Sequence, residues 1–277
     1  MTTSSSSRLW VLVLTAWLTG VATAEPFEAV PGGVVKVPLP SGFAPDWHVR
    51  WNDKPVFWRY VEDSPVALVG VPLDYNDETL VITVAGPGES GTEVVVAIGD
   101  KTYREQRLTI KNQNYVSPND AQLERIGRER AVIDAALNHF SQRTPQTTRM
   151  APPVDGRRSS SFGLRRFFND QPRRPHSGMD IAAPTGTPIR LPLAGTVLAT
   201  GDWYFNGNSV IVDHGRGLIT LYCHLDRIDT EVSAELESGR GIGTVGATGR
   251  VTGPHLHWGV YLNGVAVDPA MFLADPS

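Results

Sequence analysis

Of the chain's 277 residues, only the stretch 123–140 repeats its apolar side chains at a helical period, which leaves β-structure and loops for almost everything else. Leu123, Ile126, Ile133, Leu137 and Phe140 form one stripe, while Glu124, Arg125, Arg128, Glu129 and Arg130 fill the remaining surface. Ser117 is the expected N-cap, with Pro118 at the first helical position and Asp120 three residues on, in a capping-box-like arrangement. The stripe predicts a packing face against a neighbouring domain. His139 falls off it and is expected to face water.

Before the helix, short β-branched and aromatic runs alternate with Pro, Gly, Asn and Asp. The runs fall at 34–39, 47–51, 56–60, 66–71, 80–85, 93–98 and 103–110. This spacing predicts an immunoglobulin-like β-sandwich over 25–112, an accessory domain with no catalytic look to it. His48, alone beside Trp47, reads as structural. The helix and a strap containing Pro145, Pro152 and Pro153 make up 113–155. Over 156–277 glycine becomes frequent, and strand-like runs follow at 187–191, 195–200, 209–213, 218–224, 241–245 and 257–262. A mainly β chain with a C-terminal antiparallel β barrel-sandwich is the expected fold class.

Residues 1–24 read as a cleaved signal peptide. Arg8 precedes an apolar run over 9–18, and Ala22-Thr23-Ala24 offers the small-x-small cleavage site. The run is short of the roughly 20 residues a membrane span needs, so a periplasmic or secreted protein with no stable membrane span is expected. A net charge of -4 gives no reason to propose a nucleic-acid partner. Arg157, Arg158, Arg165, Arg166, Arg173 and Arg174 cluster locally, as a solvated loop or as a patch for an anionic polymer. The sole cysteine, Cys223, lies in a strand-like run and is expected to be buried, which excludes a zinc site built on several thiolates.

Five of the seven histidines fall between His176 and His257. His176 and Asp180 are four apart in a glycine-containing loop that can curl both side chains toward one point. His255 and His257 are two apart, so a strand there puts both imidazoles on one face. With His224 in another strand, the set asks for a metal ion of the hydrolytic type, held by three His or carboxylate ligands with a fourth position for water. His214 follows a strand-like run and reads as a structural or supporting residue. Asn208 and Tyr222 are open between substrate contact and structure.

Together these motifs resemble the lysostaphin or LytM-type zinc metallopeptidases that cut peptidoglycan peptides. The likeness runs over about 159–273, through Ser161-Phe162-Gly163-Leu164-Arg165, His176-Ser177-Gly178-Met179-Asp180, Gly207-Asn208-Ser209-Val210, Asp213-His214-Gly215, Tyr222-Cys223-His224 and Gly253-Pro254-His255-Leu256-His257. The resemblance implies Zn2+ bound by His176, Asp180 and His257. It implies proton work by His224 and His255, with His255 as general base and His224 as transition-state stabiliser, an assignment whose exchange stays open. The expected function is an exported zinc endopeptidase acting on peptidoglycan cross-links, D-alanyl in preference to glycine-bridged, whose N-terminal domain covers or shapes the groove. The alternative is a non-catalytic LytM-like regulator of other wall hydrolases. A biotinyl or lipoyl carrier is excluded because no lysine follows Lys111.

Overall fold

The computed structural model describes residues 27–274; the signal-peptide expectation for 1–24 lies outside them. Among the described residues there is one α-helix, and the rest of the regular structure is strand with two short 3-10 turns.

The N-terminal runs form two sheets. Val34–Pro38, Ser64–Gly70 and Phe57–Val61 make one antiparallel sheet in that order, and Lys54–Pro55, His48–Trp51, Thr79–Ala85 and Thr92–Ala97 make the other. Alternation sorts their side chains: Val35, Val37, Trp58, Val69, Leu80 and Ile82 fill the space between the sheets. Val34, Phe57, Val66 and Leu68 point the other way, into the core of the C-terminal half. The first sheet is thus buried on both faces, and hydrogen bonds such as that from Phe57 N–H to the side-chain Oδ1 of Asn263 (3.2 Å) tie the two halves together.

Glu105–Leu108 differs from the expectation that 103–110 completes the sandwich. It pairs in parallel with Arg165–Phe168. Its alternating charges, Glu105 and Arg107, cannot enter a sandwich core, whereas Leu108 packs with Ile110, Val116 and Phe168.

The helix, Asp120–Leu137, starts two residues later than expected. Asn119 is the cap: its side chain accepts from Gln122 N (3.0 Å), and Gln122 Oε1 accepts from Asn119 N (2.9 Å), closing a capping box. Only Ala136 and Leu137 of the helix are buried, while Leu123 is 52% exposed. The first half is held instead by polar contacts, Arg125 Nη2 to Asp202 O (2.9 Å) and Tyr204 N to Glu129 Oε2 (2.7 Å).

In the C-terminal half, Glu235–Leu236, Gly195–Trp203, Gly207–Gly215, Leu218–Ile228, Leu256–Leu262, Met179–Ala182 and Arg157–Ser160 are consecutive neighbours in a ten-stranded sheet. Leu218–Ile228 folds the sheet over, pairing with Leu256–Leu262 along its first part and with Gly241–Val245 at its end. The interior holds Met179, Ile189, Val210, Tyr222, Val245 and Trp258. The architecture is mainly β and antiparallel, as the strand-like runs lead one to expect.

Candidate metal centre

Two rows of side chains cross three neighbouring strands. Met179, Trp258 and Tyr222 lie directly opposite one another and face the interior; Asp180, His257 and Cys223 form the next row and face the other way. Opposed residues in a sheet share a face, so strand register alone places Asp180 beside His257. His176 joins them from the preceding loop, which is fixed by His176 N to Leu164 O (3.0 Å) and Gly163 N to His176 O (2.8 Å). Gly178 permits the approach, since a Cβ there would meet Trp258 O at 2.6 Å and His257 Cε1 at 2.7 Å.

The three ligand-type atoms form a nearly equilateral triangle. Asp180 Oδ1 is 2.9 Å from His176 Nε2 and 2.8 Å from His257 Nδ1, and the two nitrogens are 2.9 Å apart. His176 Nδ1–H donates to Ser161 O (2.7 Å), and burial pushes the imidazole down to about 4, so its Nε2 presents a lone pair. A proton on His257 Nδ1 satisfies one side of the triangle. On the His176–Asp180 side, lone pair still faces carboxylate oxygen. A cation at the centre removes that conflict, and two imidazoles with one carboxylate suit zinc. Burial alone would raise the Asp180 pKa, but hydrogen bonding, in this protonation state from His257 Nδ1–H, outweighs it and holds the carboxyl well below the usual carboxylate range.

His255 and His224 stand beside this triangle with their tautomers set by carbonyls. His255 Nδ1–H donates to Gly253 O (2.8 Å), leaving Nε2 bare at 3.9 Å from Asp180 Oδ1. His224 Nδ1–H donates to Thr248 O (2.9 Å), and its ring centroid is 4.9 Å from that of His255 and 6.1 Å from that of His257. Strict alternation would turn His224 away from its neighbour Cys223 and into the interior. A β-bulge prevents this: between the pairs Val210–Tyr222 and Asn208–Leu225 the strands advance by two residues against three, and His224 adopts φ +67°. Burial, then the neighbouring His257 and His255, lowers the His224 pKa well below its ordinary value, which leaves the resting imidazole neutral.

The sequence profile of peptidase family M23 matches residues 174–269, which contain all five side chains. Among solved structures, a peptidase M23 from Pseudomonas aeruginosa is 38% identical, with a TM-score of 0.74, and the match covers 89% of this chain and 95% of that one. The chain belongs to peptidase family M23. Among curated relatives, the DD-carboxypeptidase/endopeptidase Mpg of Neisseria meningitidis is 42% identical over 118 residues, 43% of this chain and 27% of that protein. The peptidoglycan DD-endopeptidase ShyC of Vibrio cholerae is 39% identical over 140 residues, 49% of this chain and 32% of that protein. The chain spans about a third or less of the length of these curated relatives.

Zinc is the metal of the M23 metallopeptidases, in keeping with the donor set just described. The other residues singled out in the sequence lie outside the triangle. Cys223 is buried, and burial pushes its thiol up to about 12. Tyr222 is fully buried in the interior, and Asn208 Nδ2 donates to Asp226 O (3.2 Å) within the bulged region. His48 is exposed in the N-terminal sandwich and His139 at the helix C-terminus. Arg166, by contrast, is more than a surface arginine: its Nη2 donates to Asp180 Oδ2 at 2.8 Å.

His214 is wholly buried away from the triangle. Nδ1–H donates to Ala194 O (3.0 Å), and the Thr220 hydroxyl lies 2.7 Å from Nε2. Burial pushes this imidazole down to about 4. Between pH ~6.5 and that value the unfolded chain binds a proton that the native state does not, so stability is full above ~6.5 and falls by about 3 kcal/mol as pH drops to 4. His214→Gln should be less stable at pH 7 but lose stability less steeply toward pH 4, as urea-unfolding midpoints at both pH values will show; equal slopes would remove His214 from the account.

Proposed function

We propose that this protein is an exported zinc metalloendopeptidase that hydrolyses peptide cross-links of peptidoglycan, with His176, Asp180 and His257 as the metal ligands. The observation that carries the reading is the closed triangle of donors with two further imidazoles beside it. Zinc held there would supply an activated water and a Lewis acid for the scissile carbonyl.

The protein's own groups then divide the proton work. His255 Nε2, bare and facing the centre, is the general base. His224, neutral with its Nδ1–H committed to Thr248, has no N–H for an oxyanion until it takes up a proton. The negative charge of a tetrahedral oxyanion favours a proton taken from bulk water on Nε2, from which His224 donates a hydrogen bond to that oxygen, while the proton that His255 took from the attacking water passes to the leaving amine. A regulator would not need the complete donor set, so the convergence of all three ligands favours an enzyme.

Mpg and ShyC are named for DD-peptidase activities, which supports a D-alanyl amide as the bond cut. Among the described residues no helix is long and apolar enough to cross a membrane. The reading that the N-terminal part shapes the groove is supported by contacts of the segment after the sandwich with the C-terminal half: Tyr204 Oη donates to Asn114 O (2.8 Å), and Arg173 Nη2 donates to Val116 O (2.7 Å).

Digestion of purified sacculi, with products identified by mass, tests the reading. Cross-linked muropeptide dimers should fall and monomers rise in directly cross-linked walls, with little change in glycine-bridged ones. Unchanged dimers in both would sink it, and shortening of pentapeptides alone would reassign the chain as a carboxypeptidase.

A further inference from the structure

Asp180 offers one oxygen, Oδ1, to the triangle, and the other is taken. Arg166 Nη2 donates to Oδ2 at 2.8 Å, and both side chains are largely withdrawn from water. Arg166 is itself aimed: its Nε donates to Gln106 Oε1 (3.0 Å), and its Nη2 lies 3.3 Å from Ser160 Oγ. Ser160 Oγ is also 3.4 Å from Gln106 Nε2 and 3.3 Å from His176 Nδ1, so the network touches two corners of the triangle. The parallel pairing of Glu105–Leu108 with Arg165–Phe168 sets Gln106 in register with Arg166. The adjacent Arg165 is exposed and lies 3.6 Å from Glu105 Oε1.

We propose that Arg166 is a positioning residue for the metal centre, and that Gln106, supplied by the strand that follows the N-terminal sandwich, aims it. A carboxylate pinned at Oδ2 presents Oδ1 in one direction and cannot swing or bind through both oxygens. The positive guanidinium works against cation binding, but hydrogen-bonded partners of a metal ligand typically contribute about 10–100-fold to metal affinity. Orientation therefore outweighs repulsion here. The N-terminal half thereby contributes to the centre through a side chain, in addition to the shared core.

The test measures zinc affinity by competition with a chromophoric chelator, and the visible spectrum of the cobalt-substituted protein, in the full chain. Arg166→Gln should weaken zinc binding by about 10–100-fold and shift the cobalt bands. Gln106→Ala keeps the ion pair and should weaken binding by about fivefold, the size of one ordinary hydrogen bond, with a smaller spectral shift. Arg165→Gln should match the wild type. Unchanged or tighter zinc binding in Arg166→Gln overturns the proposal; if that variant fails to fold, unchanged affinity and spectrum in Gln106→Ala overturn it instead. The inference rests on the proposed metal centre and not on the bond cut: a wild type that binds no zinc ends both readings, whereas zinc-binding variants indistinguishable from wild type end this one alone.

Discussion

Replacing His176 by alanine should leave the protein unable to hold zinc and reduce hydrolysis of peptidoglycan cross-links to background. His176 is one corner of a triangle whose sides are 2.8 to 2.9 Å, and no other His, Asp or Glu among the described residues stands ready to replace it, since His255 lies 3.9 Å from Asp180 Oδ1. The same variant gives a thermodynamic readout. Zinc at a thousand times its dissociation constant should stabilise the wild type by about 4 kcal/mol by mass action. The variant should show almost none of that gain in a thermal-unfolding series with and without zinc. Retained activity after chelation, or in His176→Ala, would contradict the zinc mechanism.

His255→Ala should separate catalysis from metal binding. Its Nε2 faces the centre but is not a corner of the triangle. Loss of a positioned base typically costs about 10²–10⁴-fold in rate, so hydrolysis should fall by that amount while zinc stays near one per chain by elemental analysis. A large loss of zinc would make His255 a ligand, and an unchanged rate would remove it from the proton path. His224→Ala is expected to follow the same pattern, because its ring also stands outside the triangle, with its centroid 6.1 Å from that of His257.

The parts of this site that were legible in the sequence are those whose geometry follows from a repeat. His255 and His257 share a face because strand side chains alternate, and His176 and Asp180 sit four apart across a turn. Strands such as Leu218–Ile228 and Leu256–Leu262 stand out because apolar residues, β-branched and aromatic ones among them, cluster between turn signals. The illegible parts depend on a partner distant in sequence. Arg166 looks like its neighbours in an arginine-rich stretch until the strand Met179–Ala182 brings Asp180 to it. Gln106 has no local mark at all, and its strand resembles the sandwich strands before it because the pairing partner, Arg165–Phe168, is not written in the run itself. His224 reaches the site through a bulge that breaks the alternation from which its direction would be inferred. Its low pKa is likewise a consequence of tertiary burial. The helix starts two residues beyond the position Ser117 would set because Ser117 and Asn119 are both good caps and Gln122 closes the box with Asn119. The apolar stripe of the helix overstated its burial, since polar contacts from Arg125 and Glu129 hold its first half.

The central claim, a three-ligand zinc centre flanked by two unligated histidines, is tested most directly by a crystal structure of the zinc-loaded protein with data collected across the zinc absorption edge. The account predicts one anomalous peak within about 2.0–2.2 Å of His176 Nε2, Asp180 Oδ1 and His257 Nδ1, with His224 and His255 outside bonding distance. A peak elsewhere, or one ligated by His255 in place of His257, would contradict it.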